Sequence, residues 1–156
     1  MRLLFSLIAT TVMLFGTAAC SDPKPLYVDG GYVRLNANPA APSAAYFTLH
    51  GGNDPVVLRD VTTDSAVRLE IHESMMQGNM ASMKPVDTID VPAGKTVQLA
   101  PGGKHMMLWQ INPQAIAAGK MTFTFIFSNG DRILVDAVIQ KPDGSPAATT
   151  NEHAGH

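Results

Sequence analysis

At 156 residues, 46% of them hydrophobic and 15% charged, the chain suffices for one domain with a real core and is too short for two ordinary ones. A formal net charge of -2, with no Lys/Arg stripe and no basic-aromatic interleaving, leaves no excess to neutralise phosphates and argues against nucleic acid as a partner. The single cysteine, Cys20, excludes a disulfide framework, and no thiol follows it for catalysis or a zinc site.

The opening stretch MRLLFSLIATTVMLFGTAAC carries Arg2, an apolar run from Leu3 to Phe15 and then small residues. That pattern is a secretory signal over residues 1–19, too short for a permanent membrane helix. Thr17-Ala18-Ala19-Cys20 has the form of a bacterial lipoprotein box, with Thr17 where Leu is usual. Cys20 is therefore expected to carry lipid and hold a periplasmic protein at the membrane. A plain cleavage site, leaving the protein soluble in the periplasm, is the alternative. Residues 20–25 read as a tether and residues 26–140 as the folded domain.

Within that domain the apolar segments are short and bounded by turns: Gly31 to Leu35, Ala44 to His50, Val56 to Val61, Val67 to His72, Thr96 to Leu99, Met106 to Ile111, Met121 to Phe127 and Ile133 to Ile139. Val67-Arg68-Leu69-Glu70-Ile71-His72 and Thr122-Phe123-Thr124-Phe125-Ile126-Phe127 alternate with the strand period. Turn signals separate them, among them Gly51-Gly52-Asn53-Asp54-Pro55, Pro101-Gly102-Gly103 and Ser128-Asn129-Gly130-Asp131. Many short strands predict an all-β antiparallel sandwich or barrel, with one helical turn at Pro113 to Gly119. From Lys141 the composition turns to Pro, Gly, Ser, Ala and Thr, which predicts a disordered tail over residues 141–156.

Methionine is the anomaly in this composition. Of nine, Met1 and Met13 belong to the signal, and six of the rest form two clusters: Met75, Met76, Met80 and Met83, then Met106 and Met107. His72 precedes the first cluster and His105 the second. The first cluster lies in ESMMQGNMASMKP, which reads as a loop, and loop methionines do not fill a core. Thioether sulfur is soft and neutral, and together with imidazole it selects Cu(I) over Zn²⁺, Ca²⁺ or Mg²⁺. It also survives an oxidising compartment that would consume thiolates. His105 and Met107 are two apart in a strand-like segment and share a face. His72 falls at the exposed end of a half-buried strand, where Glu70 and Glu73 either orient its ring or form a solvated surface. Trp109 shares the His105/Met107 parity and either shields an ion or joins the core, and His50 reads as a strand-end residue.

The pattern His72, ten residues, Met83, twenty-one residues, His105, one residue, Met107 resembles the H-x10-M-x21-H-x-M signature of the PCuAC family of periplasmic copper(I) chaperones. The likeness extends to Gly31-Tyr32-Val33-Arg34, Ala44-Ala45-Tyr46-Phe47-Thr48-Leu49, Lys84-Pro85-Val86, Val91-Pro92-Ala93-Gly94 and Pro101-Gly102-Gly103-Lys104-His105. The resemblance implies a cupredoxin-like Greek-key β-sandwich holding one Cu(I) through His72, Met83, His105 and Met107. It further implies copper delivery toward the CuA centre of cytochrome c oxidase subunit II, alongside a Sco-type thioredoxin-like chaperone. The chain departs from the pattern at Ala81 and Ser82, in a stretch often richer in Met and Lys, while Met75, Met76 and Met80 stand nearby as candidate auxiliary ligands.

No Ser-His-Asp arrangement, carboxylate pair or phosphate-cradling loop stands out, so an enzyme is not expected. A blue-copper electron carrier needs a Cys thiolate with two His, and Cys20 precedes the domain. The nearest alternative is a periplasmic copper buffer or resistance protein without a dedicated acceptor. A monomer is expected without metal. In the tail, His153 and His156, near Glu152, are either incidental or a weak second site for Cu(II), which prefers nitrogen and oxygen ligands.

Overall fold

The computed structural model describes residues 23–78 and 80–148. Ten strands and one helical turn follow in chain order: β1 (Tyr27–Arg34), β2 (Ser43–His50), β3 (Val56–Thr62), β4 (Ala66–Gln77), β5 (Met80–Pro85), β6 (Ile89–Val91), β7 (Thr96–Leu99), β8 (Lys104–Ile111), α1 (Pro113–Ala118), β9 (Lys120–Phe127) and β10 (Arg132–Gln140). They form one continuous ladder in the order β5-β4-β8-β2-β1-β10-β9-β3-β6, with β7 pairing to β2 beyond β8.

Alternation in the sequence decides which side chains turn inward. In β2, Ala45, Phe47 and Leu49 are buried, and in β9 Met121, Phe123, Phe125 and Phe127 are, while their neighbours face out. Phe47 meets Phe123 and Phe125 edge-on, each at 4.9 Å between ring centroids, the geometry that aromatic quadrupoles favour. Burying each such side chain contributes about 1.5–3 kcal/mol. Gly31 on β1 is required here, because a Cβ at that position would run into the Phe47 ring. The ladder curls over this core until Val61 of β3 and Ile71 of β4, far apart along it, border one cleft. The result is the expected all-β cupredoxin-like architecture.

Three expectations need correction. The fold is not purely antiparallel: β1 pairs with β10 in parallel, Tyr32 to Val138 through Arg34 to Gln140, because closing the core brings the first and last strands together pointing the same way. Residues 75–83 are a hairpin and not a loop. β4 runs on to Gln77, Gly78 takes φ +61°, and β5 returns with Gln77 opposite Met80, the register of a two-residue turn whose left-handed position suits glycine. Finally, residues 141–148 do not leave the domain. Gly144 N–H bonds Lys141 O at 2.9 Å, Pro146 bridges to Gln140, Ala147 N–H bonds Ile139 O at 2.8 Å, and Asp143 holds the turn through Ser145. The Pro/Gly/Ser composition there encodes a turn, and Ala147 packs on the core.

The helical turn forms where expected. Asn112 caps it by accepting from Gln114 N–H at 2.9 Å, Pro113 opens it, and Gly119 closes it at φ +70°.

Candidate metal centre

Two ladders assemble the site. β4 and β8 pair with His72 opposite His105 and Glu70 opposite Met107, while β4 and β5 pair with Ser74 opposite Met83. Residues directly opposite in antiparallel strands point to the same face. His72, Met83, His105 and Met107 therefore share the outer face, and Ile71, Met106 and Leu108 turn into the core. The Pro101-Gly102-Gly103 turn feeds β8 into this register, with Ala100 N–H bonded to Lys104 O at 2.8 Å and Ser74 N–H to Gly103 O at 3.1 Å.

The two imidazoles stand 6.4 Å apart between ring centroids. His105 Nδ1 lies 2.9 Å from Gly103 O, and since a carbonyl only accepts, Nδ1 carries the proton and Nε2 keeps its lone pair. His72 Nε2 donates to Glu70 Oε2 at 2.9 Å, which leaves the lone pair on Nδ1. That Nδ1 is buried and has no hydrogen-bond partner. An unsatisfied buried polar atom costs about 1–3 kcal/mol, so a lone pair left in this state is one that a ligand atom or ion can claim.

Met83, His105 and Met107 line a surface depression of about 300 Å³, together with Ser74, Ala44 and Tyr46. His72 does not line it; its side chain is 16% exposed and meets the others through its register with His105. Met83 is the outermost, 61% exposed on the edge strand β5. Among the described residues no three His, Cys, Asp or Glu side chains gather as a metal-holding group. What this face offers is two neutral imidazoles and two neutral thioethers, a donor set matched to a soft monovalent ion.

The surrounding charges are paired. Hydrogen bonds from His72 and then from Arg68 hold the Glu70 carboxyl below the usual carboxylate range. Arg68 is bound to Glu70 through Nε at 2.8 Å and through Nη2, and its guanidinium lies 4.4 Å over the Trp109 ring. The Glu73 carboxylate is bonded to lysines instead of His72; a hydrogen bond from Lys104 at 2.8 Å, reinforced by Lys84 at 3.7 Å, keeps its carboxyl below the usual range. Of the two candidate orienting carboxylates, Glu70 is the one in contact.

The remaining sequence candidates separate by face. Met76 lies opposite Ala81, on the Met83 side of the hairpin, whereas Met75 opposite Ser82 and Met80 opposite Gln77 lie on the other side. Trp109 neither enters the core nor lines the depression, and sits half-buried under Arg68. His50 is a strand-end residue, stacked on Tyr27 at 4.1 Å and bonded to Asp29 at 3.0 Å. Cys20, His153 and His156 lie outside the described residues. Sequence reasoning gave Arg68 no part, although its period-2 relation to Glu70 and His72 was a usable signal.

Fold and site together define a small cupredoxin-like domain of the PCuAC type. The chain is similar to the copper-bound PCuAC domain from PmoF2, with a TM-score of 0.61 at 17% identity, covering 78% of this chain and 100% of that one. It is similar also to CuI-DR1885 from Deinococcus radiodurans, with a TM-score of 0.60 at 26% identity, covering 78% and 82%. Residues 26–139 match the family described as "Putative lipoprotein LpqE-like", and the chain belongs to that family. A Leifsonia xyli subsp. xyli protein named "Putative lipoprotein Lxx21020" is 31% identical over 80 residues, 51% of this chain and 48% of that protein, so the match spans about half the length of the relative.

Proposed function

We propose that the protein is an exported carrier of one Cu(I) ion, held by His72, Met83, His105 and Met107, which it passes toward the CuA centre of cytochrome c oxidase. The observation that carries this reading is the buried, unpartnered Nδ1 of His72 beside a second imidazole with a free Nε2 and two thioethers on the same face. Neutral donors leave the single charge of Cu(I) uncompensated, which a surface site tolerates, and serve a divalent ion less well. The copper-loaded relatives support the same choice of metal.

Release follows from where the ligands sit. His72 and His105 belong to paired central strands, while Met83 projects from an exposed edge. A thioether there can swing away and give its place to a donor on an acceptor, so the ion moves by ligand exchange and not by unfolding. The protein acts as a carrier and not as an enzyme; its expected partners are oxidase subunit II and a Sco-type chaperone.

Mixing the Cu(I)-loaded domain with the soluble copper domain of subunit II, with and without a Sco-type protein, tests the delivery step. Growth of the CuA absorption bands is the expected result. Copper that stays on the donor under both conditions would instead indicate a buffer with no dedicated acceptor.

A further inference from the structure

We propose that Glu70 is a positioning residue that fixes the His72 tautomer, so that His72 offers Nδ1 and His105 offers Nε2 to the ion; the inference rests on the Cu(I) reading above. Glu70 and His72 are two apart on β4 and share its outer face, so the strand itself brings carboxylate and ring together. The two carboxylate oxygens have different partners. Oε2 accepts from His72 Nε2 at 2.9 Å, and Oε1 accepts from the Arg68 guanidinium. An ionised carboxylate has no proton to give, so the ring nitrogen facing it must be the one that donates. In the opposite tautomer, a lone pair on Nε2 would face a carboxylate oxygen, and Nδ1–H would become a buried donor without an acceptor. Both consequences are unfavourable, and together they commit the ring to Nε2–H.

Arg68 and Trp109 keep the carboxylate in place. They are cross-strand partners, and the guanidinium lies over the indole while it binds Glu70. Swinging Glu70 toward solvent would break an ion pair that is itself held by a stacked ring. The Arg68-Glu70-His72 row is thus a chain of supports ending at the metal-facing nitrogen. His105 is set by different means, a backbone carbonyl, which fixes the other nitrogen.

Glu70→Gln separates this role from a merely structural one. The amide has nearly the same shape but one acceptor and one donor. Arg68, which only donates, takes the amide oxygen; the NH₂ then faces His72 Nε2, which must accept, and the ring proton moves to Nδ1. Long-range ¹H–¹⁵N spectra of the metal-free protein, with the rings neutral, read the tautomer directly. We expect Nε2–H on His72 in the wild type, Nδ1–H in Glu70→Gln, and a Cu(I) affinity about 10- to 100-fold lower in that variant by chelator competition. Adding Arg68→Leu frees the amide to turn its oxygen to the ring and should partly restore both signals. A wild-type ring protonated at Nδ1, a Glu70→Gln variant with unchanged affinity, or a loss of affinity without the tautomer reversal would each overturn the proposal. His72→Ala in the same titration separates the two ideas: unchanged affinity there removes His72 from the site and sinks the Cu(I) assignment, whereas loss there with none in Glu70→Gln sinks the positioning role alone.

Discussion

The three candidate auxiliary methionines differ in the face of the hairpin they occupy. Met76 is diagonal to Met83 on the site side, and Met75 and Met80 are diagonal to one another on the far side. Cross-strand diagonals are within reach of long side chains, and the two faces of a strand are not. Met76→Leu, which keeps bulk and removes sulfur, should therefore weaken or slow Cu(I) capture. Met75→Leu and Met80→Leu should shift binding by less than about 0.5 kcal/mol, the usual range for a surface substitution away from any special contact. Stopped-flow and competition measurements on the three variants check this, and equal effects from all three would contradict it. In the sequence these methionines were indistinguishable, because their faces depend on a register that the segment's composition does not specify. His105 and Met107 were legible from parity alone, and so was the polar face of Val67 to His72. The fate of Trp109 was not, since it depends on Arg68 standing opposite it across two strands distant in sequence.

At the scale of elements, strands with one buried face were readable and those without were not. β2 and β9 alternate, and their bounds lie within a residue or two of those the alternation predicts. β5 is exposed at every position, carries no hydrophobic period, and forms because β4 continues past β8 and offers it a ladder. The turn over residues 141–148 is a similar case, fixed by polar bonds that composition hides. There the hydroxyl and then the backbone N–H of Ser145 hold the Asp143 carboxyl below its ordinary range. A folded pKa below the unfolded one stabilises above the unfolded value, and the contribution is lost as pH falls through the folded value. Exchange protection of Ala147 N–H, which bonds Ile139 O, should accordingly fall on acidification below about pH 4, the ordinary Asp range, and should fall less in Asp143→Asn. Wild-type protection that stays constant into strong acid would remove Asp143 from this role.

For the whole molecule, the ends of β2 separate the tether from the site. Ala44 pairs with Met107 at one end, and His50 pairs with Tyr27 at the other, where Lys24 N–H bonds Asn53. The six residue steps from Ala44 to His50 amount to roughly 20 Å. A lipid on Cys20, three residues before Pro23, would therefore tether the domain by the end of β2 remote from Met107. Cys20→Ser should move the protein from the membrane fraction to the soluble periplasm, and a wild-type protein already soluble there would refute the anchor. The parallel pairing of β1 with β10 had no local signal, because it joins the first strand to the last, at opposite ends of the domain's sequence. What the sequence did carry at this scale was the candidate set His72, Met83, His105 and Met107, whose spacing does not depend on the path of the strands and which the register puts on one face. The most direct test of that set is a Cu(I) competition titration of the wild-type domain against His105→Ala and Met107→Leu, with circular dichroism to confirm the fold. One Cu(I) per wild-type chain, with affinity at least about tenfold lower in each variant and the fold unchanged, is the predicted result; equal affinity in all three proteins would contradict the assignment of the site.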